Sequence, residues 1–216
     1  MYSKVKVLIT GFEPFGNSAE NSSWAVAEKF ADSVIDGTEI VTALLPVSFS
    51  RVAKVIRKEV DKHKPHLLIM LGQSAGIDYV KLERVALNMM DSKGGDNDGR
   101  IPCEEPIDAN GMPAYFTNVP VKQLCVAVEQ QGVAAKVSNS CGLYVCNRLY
   151  YEALAICKEN SLMKALFVHL PLYSGQHGCD NRASMPLGDM VKAVKTIIKY
   201  YEDTNRESEE KTCKGF

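Results

Sequence analysis

Three residue types in this chain can together cleave an acyl bond: a thiol, an imidazole and a carboxylate. Cys146 lies in SNSCGLYVCNRLYYEAL, a glycine-containing turn between an expected strand and an expected helix. A thiol at a helix N-terminus meets unpaired N–H groups and the positive end of the helix dipole, which favours thiolate and lowers its pKa from about 8.5. The competing fate of such a cysteine is that of a small buried hydrophobe. Cys141 shares the turn but precedes Gly142 and stands further from the helix. A base for the thiol needs a pKa near neutrality and a place on the rim of the fold. Of the four histidines, His63 and His66 flank the amino end of a strand, whereas His169 closes ALFVHLP and His177 follows Gly175 in a loop on the opposite edge. The residues alone leave His169 and His177 both open. Glu83 sits in KLERVALN among Val80, Leu82, Val85 and Leu87, where a carboxylate needs a partner. Orienting an imidazole is one use for it, and an ion pair with Arg84 is another.

These groups must be placed by the elements around them. An apolar run over 5–10 ending at Gly11 predicts a first strand followed by a loop, GFEPFGNSAEN, and Ser22 or Ser23 can cap a helix through Phe30. A strand over 39–45 stops at Pro46, a helix carries Val52, Val55, Ile56 and Val60, and HLLIML reads as a strand buried on both faces. Another strand is expected over 79–88. The polar stretch 94–113, rich in Gly, Asp and Pro, reads as an excursion loop, either an interface arm or a flap. A helix from Val121 closed by Gly132, a strand at AAKVS, a helix over 147–160, a strand over 165–170 and a last helix from Leu187 complete the chain. The polar tail over about 203–216 is expected to fray. Alternating strands and helices predict one α/β domain over 1–216: three layers, α/β/α, around a mainly parallel sheet with antiparallel pairing near 79–88. Ligands of such sheets bind beyond the carboxyl ends of the strands, so the loops there matter most.

Bulk properties narrow the partners. The 216 residues are 46% hydrophobic, enough for a sizeable core, and the net charge of -1 offers no basic face for nucleic acid and no polybasic membrane anchor. The opening MYSKVKVLIT is too short an apolar run for a signal peptide, and no stretch reaches membrane-spanning length, so a cytoplasmic protein is expected. Seven cysteines at irregular spacing read as reduced thiols, and no CxxC pair suggests zinc. The first loop lacks the Lys-Ser/Thr of a phosphate cradle and the GxGxxG of a dinucleotide site. Its Phe12 and Phe15 can instead wall an apolar pocket.

In order along the chain, TGFEPFG, LPVSF, GQSAG leading to VKLERVALN, VSNSCGLYVCN and FVHLP resemble the pyroglutamyl peptidase I family of cytosolic cysteine peptidases, collinearly over roughly residues 5 to 200. The resemblance implies hydrolysis of an N-terminal pyroglutamyl residue from peptides, with Cys146 as nucleophile, His169 as base and Glu83 orienting the base. It implies that Phe12, Phe15 and Tyr144 enclose the lactam ring while the Gln73 backbone and Asn21 serve its polar edges, with Val145 also among the substrate-binding residues. No metal or organic cofactor is implied, and relatives commonly form homotetramers. The chain departs from the family pattern at Lys81, Cys141 and Ser22, which stand where Ser or Thr, Ala and Pro are usual. Lys93-Gly94-Gly95 replaces a common Arg-Ile-Pro, removing an apolar wall and a guanidinium. A non-catalytic α/β binding module, with Cys146 and His169 merely packed, is the competing expectation.

Overall fold

The structure is a computed structural model that describes residues 5–176 and 180–213. Its main sheet holds seven strands in the order β2-β3-β1-β4-β9-β5-β8, with β1 (Lys6–Phe12), β2 (Val34–Ile35), β3 (Thr38–Leu45), β4 (Leu67–Gln73), β5 (Val80–Glu83), β8 (Ala135–Ser138) and β9 (Lys164–Leu170). β3, β1, β4 and β9 run parallel, whereas β5 meets β9 antiparallel and β8 parallel. The antiparallel pairing expected near 79–88 is therefore present. Alternation along β1 sends Val7 and Ile9 to one face and Leu8 and Phe12 to the other. The first face is covered by α1 (Ser22–Ala27), α3 (Val121–Gln130) and α5 (Leu187–Cys213), the second by α2 (Val52–His63) and α4 (Val145–Glu159). Helices on both faces explain why β1, β4 and β9 are almost continuously apolar. Among the described residues no helix is long and apolar enough to cross a membrane.

Several expected boundaries move. The cap of α1 is Asn21, whose side chain accepts the Ser23 N–H, so neither Ser22 nor Ser23 plays that part. Ser23 is already inside the helix, where its hydroxyl accepts the Phe12 N–H at 2.9 Å. The helix ends at Ala27 and tightens into a 3-10 turn over Glu28–Phe30. The strand expected over 79–88 breaks at Arg84: β5 stays in the main sheet, and β6 (Val85–Leu87) leaves it to pair antiparallel with β7 (Ala114–Phe116). The Arg84 N–H bonds to Ser138 and its carbonyl accepts from Thr117, so this residue hands the chain from one sheet to the other. The excursion after β6 is held down by hydrogen bonds. Asp96 accepts the N–H groups of Phe49, Asp98 and Arg100, and Asn97 bonds to Glu13, Pro14 and Val47. α5 runs to Cys213, into the stretch expected to fray. A short ladder of β10 (Leu172–Tyr173) with β11 (Ser184–Met185) follows β9.

Candidate active site

β1 pairs with β3 as far as Phe12 and Leu45, and β4 pairs with β9 as far as Gln73 and Leu170, yet β1 and β4 pair only to Thr10 and Met70. Their carboxyl ends part. The connection from β1 leads to β3 on one side and the next leads to β4 on the other, so this gap is the topological switch point at which α/β sheets bind ligands. A cavity of about 50 Å³ opens there, lined by Phe12, Phe15, Asn21, Val47, Gln73, Tyr144, Val145 and Cys146. It gathers all six residues expected around a ring, together with the expected nucleophile. A larger depression of about 620 Å³ lies elsewhere, between Arg57, Asp108, Glu152, Lys158 and Glu159, and no cysteine or histidine lines it.

α4 begins at Val145, two residues earlier than expected, so Cys146 stands within its first turn and not in the loop before it. The N–H groups of Val145 and Cys146 have no intrahelical acceptor at that position. His169 points to the α4 side of the sheet, as Ala165 and Phe167 do, because residues two apart on a strand share a face. Glu83 reaches the same side from β5, diagonal to His169 in the antiparallel register. Nδ1 of His169 and Oε1 of Glu83 are 2.9 Å apart, with His169 only 7% exposed and Glu83 fully buried. The second Glu83 oxygen has no hydrogen-bond partner among the described residues. Glu83 therefore pairs with His169, and the Arg84 guanidinium turns away to Asn139. His177 lies outside the described residues.

Burial and then the Glu83 charge push the Cys146 thiol up to about 12, against the lowering influence of its own backbone N–H. The helix terminus acts in the expected direction but is outweighed. A thiol pushed in that direction requires a base to become nucleophilic. Cys141 is held well above its ordinary value by burial and by the Cys146 and Glu83 charges, and its Sγ lies 3.5 Å from Asn147 Oδ1.

Residues that spacing alone did not single out hold this arrangement. Buried Asn147 accepts the Leu87 N–H and donates to the carbonyls of Leu87 and Met89, at 2.9, 2.8 and 2.8 Å, which fastens the first turn of α4 to β6. Its place beside Cys146 was the one available signal. Phe49 meets the Tyr144 ring edge-on at 5.3 Å, and Val47 lines the cavity. The Gln73 side-chain oxygen accepts from the Ser22 N–H and from Gln176, both at 2.8 Å. Asn21 spends its oxygen on Ser23 and one amide hydrogen on the Glu13 carbonyl, leaving one hydrogen to offer the cavity.

The pyroglutamyl peptidase family model matches residues 5–203. The pyrrolidone-carboxylate peptidase of Thermococcus onnurineus is 40% identical over 196 residues, covering 90% of this chain and 98% of that one. The chain belongs to the pyroglutamyl peptidase family. Among solved structures, pyrrolidone carboxyl peptidase from Thermococcus litoralis superposes with a TM-score of 0.89 at 30% identity, over 94% of this chain and 96% of that one. The enzyme of that name from Fervidobacterium islandicum AW-1 gives 0.88 at 33% identity, over 93% and 99%.

Two departures from the usual family pattern have visible consequences. Ser22 supplies an N–H to Gln73 that a proline there lacks. In the Lys93 to Gly95 segment, the Gly95 carbonyl accepts the Tyr144 hydroxyl at 3.1 Å, so backbone holds the ring that Phe49 and Phe15 flank.

The buried thiols make the fold sensitive to alkali. Burial pushes Cys157 up to about 11 and holds Cys141 well above its ordinary value. An unfolded chain releases these protons near pH 8.5, so above that pH the folded state holds more protons than the unfolded one and loses stability as pH rises. Tm is expected to hold from pH 7 to 8.5 and to fall from about pH 9 to 11, by up to about 1.4 kcal/mol per thiol per pH unit in stability. A thermal-melt series reads this, and a Tm that climbs from pH 9 upward would contradict it.

Proposed function

We propose that the chain hydrolyses the bond after an N-terminal pyroglutamyl residue of peptides, with Cys146, His169 and Glu83 as its catalytic groups. The single observation that supports this best is one cavity, in a member of this family, lined by Cys146 and by every residue the resemblance assigns to the ring. A pyroglutamyl residue is an apolar lactam with one amide and no ammonium. The cavity lining matches: three aromatic rings and two valines, with no carboxylate to attract a free N-terminus. Past Met70 the edge of β4 facing β1 has no strand partner, which leaves backbone groups near Gln73 for the lactam, beside the remaining Asn21 amide hydrogen.

In the proposed reaction His169 takes the Cys146 proton as Sγ attacks the pyroglutamyl carbonyl carbon. Negative charge on the carbonyl oxygen is met by the N–H groups of Val145 and Cys146 at the start of α4. Collapse breaks the C–N bond, and the leaving amine takes the proton from His169. Water, giving a proton back to His169, then opens the thioester to release pyroglutamate and the free thiol. Glu83 stabilises the imidazolium and fixes its tautomer through Nδ1. No cofactor enters any step. Cytoplasmic residence and a homotetramer belong to the same proposal through the family resemblance, with cell fractionation and sedimentation velocity as their readouts.

The test is hydrolysis of pyroglutamyl-, prolyl- and glutamyl-aminomethylcoumarin by reduced protein. Release from the pyroglutamyl compound should exceed the others by at least about 100-fold, since a polar lactam site left unpaired rejects analogues strongly. Equal rates on all three, or none by folded protein, would remove this reading.

A further inference from the structure

Gly72 stands directly across the β4–β9 ladder from His169 and does not line the cavity. Its φ is outside the left-handed region, so its backbone does not demand glycine. Space does. A methyl group at Gly72 would fall 2.7 Å from Cζ and 2.8 Å from Cε1 of Phe167, and 3.1 Å from Cδ2 of His169. Ring atoms cannot remain so close. The Phe167 ring is fully buried, with Tyr150 5.7 Å away on one side and His169 4.8 Å away on another, centroid to centroid. It therefore has little room to yield without pressing on the imidazole, whose other end is tied to Glu83 at 2.9 Å.

We infer that Gly72 is a positioning residue for His169: the missing side chain seats the Phe167 and His169 rings together and keeps the imidazole where it serves Cys146. This rests on His169 being the base, as proposed above. A misplacement of about 1 Å in a catalytic group costs on the order of 100-fold.

The test compares Gly72→Ala, Phe167→Leu, the double variant and His169→Ala. Two readouts are needed: kcat and KM on pyroglutamyl-aminomethylcoumarin, and the pH profile of iodoacetamide alkylation at Cys146, resolved by peptide mass spectrometry. Gly72→Ala should lose about 30- to 100-fold in kcat with KM within about threefold, because the ring pocket is untouched. Its alkylation profile should move toward that of His169→Ala, in which Cys146 reacts only as its own high ionisation is approached. Leucine at 167 removes the two atoms the methyl strikes and leaves the 3.1 Å approach to His169, which a shift of a few tenths of an ångström relieves. The double variant should therefore recover at least about tenfold over Gly72→Ala and show a wild-type alkylation profile. A glycine needed for packing alone would lower Tm and leave that profile unchanged, which overturns the inference. So does a double variant with the His169→Ala profile, a result that decides the matter even if Gly72→Ala fails to fold. Loss of activity in His169→Ala beside full activity in Gly72→Ala removes the seat and spares the base assignment. Full activity in His169→Ala removes both.

Discussion

Replacing Cys146 by serine is expected to lower kcat by at least about 10⁴-fold while leaving affinity for a pyroglutamyl peptide within about threefold. The thiol is already difficult to ionise, since burial and the Glu83 charge push it up to about 12. In the proposed reaction it hands its proton to a base, and a hydroxyl, a far weaker acid, hands it over much less readily. Affinity should persist because the cavity proposed to hold the ring is walled by Phe12, Phe15, Val47 and Tyr144, which the substitution does not touch. Turnover of the aminomethylcoumarin substrate and calorimetric titration with an uncleaved peptide separate the two quantities. Cys141→Ala serves as the thiol control. That sulfur is buried, its pKa is raised, and it makes a weak polar contact with Asn147, so its loss should leave kcat within about threefold. Hydrolysis by Cys146→Ser at a tenth of the wild-type rate would sink the nucleophile assignment.

Glu83→Gln should cost about 10²- to 10⁴-fold in kcat, with the protein still folded. Two effects of this carboxylate oppose each other. Its charge raises the Cys146 pKa, which hinders thiolate formation, and in the proposed reaction it stabilises the imidazolium formed when His169 takes the thiol proton. If the first effect governed the rate, neutralising Glu83 would speed the reaction. The 2.9 Å bond in a buried site makes the second the larger, because a charge partner counts most where water is excluded. A glutamine there either accepts the Nδ1 proton without balancing the imidazolium, or turns its amide toward Nδ1 and forces a tautomer whose Nε2 cannot take a proton. The sign of the change in kcat, read beside a melt that confirms folding, separates the two effects. A rate equal to or above wild type would refute the orienting role.

Much of this was legible without coordinates, and the reasons are local. Continuous apolar runs at Leu67–Gln73 and Lys164–Leu170 announce strands buried on both faces, and Pro46, Gly132 and Pro171 stop their elements through backbone chemistry that belongs to single residues. Boundaries were less legible where a longer-range bond decides them. Asn21 caps α1 by accepting the Ser23 N–H, while the Ser23 hydroxyl accepts from distant Phe12. The break at Arg84 exists because β6 finds its partner in β7, some 30 positions along the chain.

The sequence by itself determined the kinds of chemistry present: one thiol near a helix start, histidines on the strand rim, aromatic rings in a glycine-bracketed loop, and the ordered motifs that place the chain in its family. Only the tertiary structure decided how those groups act on one another. It joined Glu83 to His169 across 86 positions, parted β1 from β4 to open the cavity, and set half-buried Cys146 near the Glu83 charge, where desolvation outweighs its own backbone N–H. It also made Gly72, an unremarked glycine in an apolar run, the space in which two rings meet. Each of these depends on distance and dielectric between residues far apart along the chain, and neither quantity is written in any local stretch of it.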